Sequence, residues 1–306
     1  MTASPRVACF GYVNPGRVFS VEQYPAANTG AYVTNKRPFI GADGSMAAQM
    51  LARWGLDAHL IGNALGNDDL GHDTLRRLGE MNVHTHIDLR QNLRTPDEVD
   101  ISDRAGTRTF FVENNPAVWT SLIDADLSAI AGARMVYIDW YVGEAAVSAA
   151  RLARDHQVSV YLNVEFSLAA PQQYRELIAL ATYVQSPMSD VHVQQEDPRA
   201  MAEALLSFGA RTVFVTRGKY GSLAAIPGQI IDVPTSAVPV ADTHGAGAVY
   251  SALAMYGLLH DWPVETIARV ATFGATLKCT RHGLPEESVD EIMEQLRQQD
   301  ARGAGR

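Results

Sequence analysis

The stretch Asp242-Thr243-His244-Gly245-Ala246-Gly247-Ala248 carries the strongest chemical signal in the chain. Small residues at 245–247 let backbone N–H groups approach an anion, and the apolar run that follows places a helix N-terminus behind them. Such a turn suits phosphate. The same residues also suit a plain tight turn in which a helix packs close on a strand, so glycine spacing alone leaves both readings open. Thr216-Arg217-Gly218-Lys219-Tyr220-Gly221 forms a second glycine-bearing turn. Gly41-Ala42-Asp43-Gly44-Ser45-Met46 forms a third, followed by an alanine-rich helical pattern.

Rival chemistries find less support. There is no G-x-x-x-x-G-K-[ST] loop, and Tyr250 stands where a dinucleotide-binding fingerprint needs its last glycine. His84-Thr85-His86 has alternating spacing that could seat a metal, but no partner set is evident from the sequence, and solvated histidines fit as well. Gly66-Asn67-Asp68-Asp69-Leu70-Gly71 reads as a turn and helix start with Asp68 or Asp69 as the cap.

These turns must be held by a scaffold, and the chain supplies one. Short apolar runs at 7–11, 58–62, 135–138, 158–162, 183–185 and 212–216 alternate with helical patterns at 44–54, 69–80, 144–155, 199–208 and 263–278. That alternation predicts an α/β fold with a mostly parallel sheet and helices on both faces, and ligands belong at the strand C-terminal ends. Segments 18–39 and 97–112 break the rhythm with period-two patterns and turn residues such as Asp103-Arg104-Ala105-Gly106, and read as hairpins. The polar stretch 297–306 is expected to fray.

With 306 residues and 47% hydrophobic content the chain has ample material for a core. A formal net charge of -9 argues against nucleic acid as the main partner. Cys9 and Cys279 are far apart in sequence, which indicates neither a disulfide framework nor a thiolate metal site and suits a cytoplasmic setting. No run of 18 apolar residues occurs and residues 1–6 lack a leader pattern, so neither membrane spanning nor export is expected.

Taken together, the three turns in this order resemble the signatures of the ribokinase/PfkB family of carbohydrate kinases: G-G-x-x-x-N at 41–46, T-x-G-x-x-G at 216–221 and D-T-x-G-A-G-D at 242–248. The resemblance implies a three-layer α/β/α sandwich over residues 1–296, with a small β-hairpin lid from about 12–40 and 95–113 that covers the acceptor and often makes a homodimer contact. It implies ATP and Mg2+ as cofactors and a sugar, nucleoside or related small molecule as acceptor. It places Thr216, Gly218, Gly221, Thr243, Gly245 and Gly247 beside the nucleotide, and Asp242, Gly245, Ala246 and Gly247 around the transferring phosphate. Asn14, Gly41, Asp43, Met46, Arg108 and Asp139 fall on the acceptor side, where Trp140, Tyr141 or Phe39 could stack. Residues 273–283 resemble the segment flanking the adenine pocket.

Four departures stand out. Ala248 occupies the family's base, Ala42 the second glycine of the first signature, Met46 its sugar-binding asparagine and Gly16 the aspartate after the first strand. The element that organises magnesium in the family, N-x-x-E, reads Ser186-Pro187-Met188-Ser189, leaving Asp190 or Glu196 only in a shifted position. A chain lacking its base is expected to transfer phosphate poorly, unless His244, Asp139 or Asp43 serves instead. The alternative is a pseudokinase that binds a nucleotide or small metabolite.

Overall fold

A computed structural model describes residues 4–104 and 108–303 of the chain. The expected hairpin turn at Ala105, Gly106 and Thr107 and the tail residues 304–306 lie outside them. In chain order the strands are β1 (Arg6–Phe10), β2 (Asn14–Val21), β3 (Val33–Gly41), β4 (Asp57–Ile61), β5 (Leu65–Gly66), β6 (His84–His86), β7 (Leu89–Arg90), β8 (Glu98–Ser102), β9 (Arg108–Val112), β10 (Met135–Asp139), β11 (Ser159–Asn163), β12 (Tyr183–Pro187), β13 (Thr212–Thr216), β14 (Ser222–Ile226) and β15 (Gln229–Val233). The helices are α1 (Asp43–Arg53), α2 (Asp69–Glu80), α3 (Pro116–Thr120), α4 (Glu144–Asp155), α5 (Arg175–Leu180), α6 (Asp190–Gln195), α7 (Pro198–Ser207), α8 (Ala246–Leu259), α9 (Val264–Cys279) and α10 (Val289–Gly303).

The main sheet runs β15-β14-β13-β12-β11-β10-β1-β4-β6, parallel from β13 to β6 and closed at one edge by the antiparallel β14 and β15. That terminal hairpin is an addition to the expected alternation. Strands buried on both faces need apolar residues at every position, and β1 illustrates it. Val7 and Cys9 pack with α1, α8 and α9, while Ala8 and Phe10 pack with α4, α5 and α7. The alanines of α4, at 145, 146, 149 and 150, are buried and let it lie close on the sheet. Strand order reverses direction between β1 and β10, and the crevice at such a point is where an open α/β sheet offers a ligand site.

A second sheet, β3-β2-β8-β9, forms from the two predicted hairpins. Each expected hairpin is antiparallel, but the two join through a parallel β2–β8 pair, so the sheet is mixed. Two hairpins meeting edge to edge can pair in either sense, and no local pattern specifies which. The segment expected to fray from 297 is instead helical to Gly303, where Arg297 pairs with Glu294 and Asp300 reaches Arg269 of α9. Among the described residues no helix is long and apolar enough to cross a membrane.

Candidate active site

Helix α8 begins at Gly245, which adopts a left-handed conformation (φ 84°) and turns the chain out of the loop after β15. The amide of Val249 donates to the Gly245 carbonyl at 2.9 Å, so the amides of Gly247 and Ala248 precede the first intrahelical bond and are left for an anion. Behind the turn, the side chains of Ser251 and Gln185 donate to the Gly247 carbonyl at 3.0 and 3.4 Å, and Tyr161 and Ser251 both donate to Gln185.

Asp242 anchors the other side of the turn. Its Oδ2 lies 3.0 Å from Nζ of Lys278, which also donates to the Asp242 carbonyl at 2.8 Å, while the amide of His244 donates to Oδ1 at 2.9 Å. Lys278 is wholly buried. Burial pushes the Asp242 carboxyl up, but Lys278 and the His244 amide together outweigh it and hold the group below its ordinary range.

Two cavities meet at this turn. A smaller one of about 150 Å³ is lined by Thr216, Gly218, Gly221, Ala246, Gly247, Tyr250, Thr272 and Thr276, among others. Gly221 shapes it from a backbone at φ 82°, where a Cβ would stand 2.1 Å from the Val233 carbonyl, so only glycine fits. The larger cavity, about 510 Å³, is bounded by Asn14, Glu98 and Arg108 of the second sheet, by Asp43 and Met46 of α1, by Tyr12, Trp119 and Tyr141, and by Thr243, His244, Gly245 and Gly247. Gly247 is thus a wall common to both.

A sequence model for the pfkB family of carbohydrate kinases matches residues 4–291. The chain belongs to that family. A bifunctional ribokinase/ribose-5-phosphate isomerase A of Fructilactobacillus sanfranciscensis is 26% identical over 255 residues, which cover 80% of this chain and 47% of the relative. The match therefore spans about half the length of that protein. Among solved structures, a candidate ribokinase from Agrobacterium tumefaciens superposes with a TM-score of 0.85 at 22% identity, covering 96% of this chain and 98% of the other. Arabidopsis thaliana ribokinase complexed with ribose and ATP gives a TM-score of 0.73 at 18% identity, covering 96% and 99%. The fold is ribokinase-like.

Within this pfkB-family chain, the sequence-derived positions distribute unevenly. Thr216, Gly218, Gly221, Ala246 and Gly247 come together at the small cavity; Asn14, Asp43, Met46, Arg108, Thr243, Gly245 and Gly247 come together at the large one. Gly41 and Asp139 line neither. The Gly41 position packs on Phe39, and a Cβ there would lie 2.7 Å from that ring. Asp139 lies under the floor, receiving hydrogen bonds from Tyr137 (2.6 Å), Tyr141 (2.8 Å) and the Gly44 amide (3.0 Å). Burial, with Asp43 nearby, pushes its carboxyl up to about 7. Thr95, expected near the lid, instead bonds the Asp68 carboxylate that caps α2.

The substitute bases fare differently. Ala248 is wholly buried in the first turn of α8. His244 lies with Nδ1 3.3 Å from Asp100 Oδ2 and its ring edge-on to Phe39, and burial with Arg108 nearby drives it down to about 3. It is a neutral, weak base. Asp43 takes a hydrogen bond from Asn163 at 3.4 Å, and burial raises its carboxyl despite the neighbouring Arg108. Of the stacking residues, Tyr141 lines the cavity, Trp140 packs against Tyr174, and Phe39 faces His244.

Among its described residues, the magnesium element does not fit a metal. Ser189 caps α6, Ser186 Oγ accepts from the Phe166 amide, and Glu196 accepts from Ser167 Oγ (2.6 Å) and the Leu168 amide (3.1 Å). The side chain of Asp190 lies outside the described part.

Sequence reasoning missed Glu98, Asp100 and Lys278. Glu98, Asp100 and Ser102 alternate along β8 and all are buried. Acids on the inward face of a strand signal a polar site rather than a core, and that alternation was available to be read. Glu98 accepts from Asn14, and burial with the hydrogen bond to Asp100 pushes it up to about 7. Nothing near Lys278 in sequence marks it as the partner of Asp242.

Proposed function

We propose that the protein is an ATP-dependent phosphotransferase of the carbohydrate kinase class, acting on a hydroxyl of a sugar or nucleoside held in the large cavity. The observation that carries this reading is Gly247, whose backbone borders both cavities and sits where free amides can face a phosphate. The nucleotide occupies the Thr216–Gly221 side with its terminal phosphate at the amides of Gly247 and Ala248. The acceptor oxygen then attacks phosphorus while the bond to the leaving diphosphate breaks, and the hydroxyl proton must go to a base or to water.

Tyr12 Oη at the large cavity, and Asp100 Oδ1 and Asn163 Oδ1 on residues that bond its lining residues Arg108 and Asp43, are buried without a hydrogen-bond partner among the described residues. An orphaned buried polar atom costs about 1–3 kcal/mol. A polyhydroxylated acceptor offers such atoms partners, and Tyr12 stacked on Trp119, with centroids 4.0 Å apart, gives it an aromatic wall for a ring face. Arg108, 3.3 Å from Asp100, is a cation at the cavity rim that suits developing negative charge. The side chains of Met46 and Ala248 bring neither a hydrogen-bond donor nor a base, so transfer is slow in the chain as it stands. The step is written without magnesium, because among the described residues the expected element offers it no free carboxylate. The exposed Val33, Phe110 and Phe111 on the second sheet support a homodimer through that sheet, which light scattering of the purified chain would test.

Calorimetry with ATP, with and without Mg2+, on this chain and on Ala248→Asp, followed by ADP release across sugars and nucleosides, tests the reading. ATP binding with activity raised by aspartate establishes a kinase slowed at its base. Binding without turnover in either form establishes a nucleotide-binding pseudokinase, and no nucleotide binding in either form overturns the proposal.

A further inference from the structure

The two histidines of His84-Thr85-His86 lie on the edge strand β6, which pairs in parallel with β4 in the register His59↔His84 and Ile61↔His86. This pairing brings Asp57 and His59 of β4 beside His84 and His86 of β6. Nε2 of His59 lies 3.2 Å from Asp57 Oδ1, and Nε2 of His84 lies 3.5 Å from the same oxygen. The three ligand atoms all fall within 4.8 Å of one another. The other carboxylate oxygen, Oδ2, is held by Nε of Arg6 at 3.0 Å, which turns Oδ1 toward the two rings.

We propose that Asp57, His59 and His84 form a site for a divalent transition ion of the zinc type. Tetrahedral coordination with bonds of about 2.0–2.1 Å separates ligand atoms by roughly 3.3 Å, close to both distances to Oδ1. Two imidazoles and one carboxylate are a suitable donor set for this ion, with a fourth position left to solvent. A supporting chain stands behind it: Nδ1 of His59 meets Nε2 of His86 at 2.9 Å, and Nδ1 of His86 meets Asp126 Oδ2 at 3.3 Å. Such a relay fixes which nitrogen of His59 carries its proton and leaves the other for metal. The His59 and His84 rings are 4.8 Å apart and inclined by 27°, so binding turns the exposed His84 ring to aim both lone pairs at one point. His84 has 65% of its side chain exposed, so it is free to turn and an ion has access.

None of these residues lines either active-site cavity, so the site stands independently of the kinase reading. An ion here ties the edge strand to β4 and stabilises the folded chain by mass action.

The test is calorimetry of the chelator-stripped full chain with ZnCl2, together with the visible spectrum of its Co2+ form. The expected result is one ion per chain, an intense tetrahedral Co2+ spectrum, and loss of both in His84→Ala, whose exposed position spares the fold. His86→Ala should weaken binding about 10–100-fold while keeping the spectrum, as expected of a positioning residue. Zinc uptake that is equal in His84→Ala and the parent chain, or absent from the parent chain, overturns the proposal.

Discussion

The wall of the cleft at residues 245–247 is made of backbone: a left-handed glycine, free amides and a buried ion pair behind them. The facing wall, on the second sheet and α1, is made of side chains, with Asn14, Asp43, Glu98 and Arg108 crowded around one volume and Asp100 buried behind Arg108. A backbone wall recognises what every phosphate has in common, whereas a side-chain wall recognises a particular molecule. The family signature persists on the first up to Ala248, which stands in place of its base, and is altered on the second at Met46.

The largest expected effect tests whether only a base is lacking on the backbone wall. Ala248→Asp should raise ADP release by about 10²–10⁴-fold, the usual contribution of a general base. An unchanged rate would mean that the side-chain wall, not position 248, limits the chemistry. Next comes the ion pair beneath the turn. Lys278→Met leaves the Asp242 carboxylate buried and unpaired, and should cost about 3–5 kcal/mol in denaturant unfolding. Adding Asp242→Leu should restore part of that loss; if Lys278→Met alone is neutral, the backbone wall does not depend on the pair.

The side-chain wall makes a prediction in pH. Glu98 is held at about 7 in the fold against an ordinary 4.5, so the folded state keeps its proton where the unfolded state has lost it. Its contribution is complete below 4.5 and declines as pH rises toward 7. Thermal unfolding at pH 5 and pH 8 should therefore show a smaller decline for Glu98→Gln than for the parent chain. The smallest effect concerns Ala42, which replaces the family's glycine yet keeps a backbone at φ 68° and ψ 149°. That conformation is nearly exclusive to glycine, and relieving it in Ala42→Gly should stabilise the chain by about 1 kcal/mol after the entropic loss. Destabilisation would mean that the alanine methyl is packed usefully.

Much of the scaffold was legible because burial writes itself into periodicity. The runs at 135–138 and 212–216 are strands since residues buried on both faces must be apolar throughout, and the helix at 144–155 followed from its alanine stripe. The turns at 216–221 and 245–247 were legible from their glycines, of which Gly218, Gly221 and Gly245 hold a left-handed backbone that other residues rarely adopt. The rest depended on pairing across space. The parallel meeting of β2 and β8, the bond from Lys278 to Asp242, and the partners of His84 all join residues whose local sequence is silent about one another. Asp139 was singled out in the sequence, but its hydrogen bonds from Tyr137, Tyr141, Gly44 and Asn163 turn it into part of the floor. The polar stretch after 297 misled because surface contacts to α9 carry the helix onward where composition alone suggested an end.

A Cβ placed on Gly247 would meet nothing within 4 Å. Packing therefore does not demand glycine there, and the fold would accept a larger residue without protest. What the missing side chain leaves is bare backbone where the two cavities meet. On the kinase reading, residue 247 then puts neither bulk nor charge between nucleotide and acceptor, and their approach is set by the occupants and not by this residue.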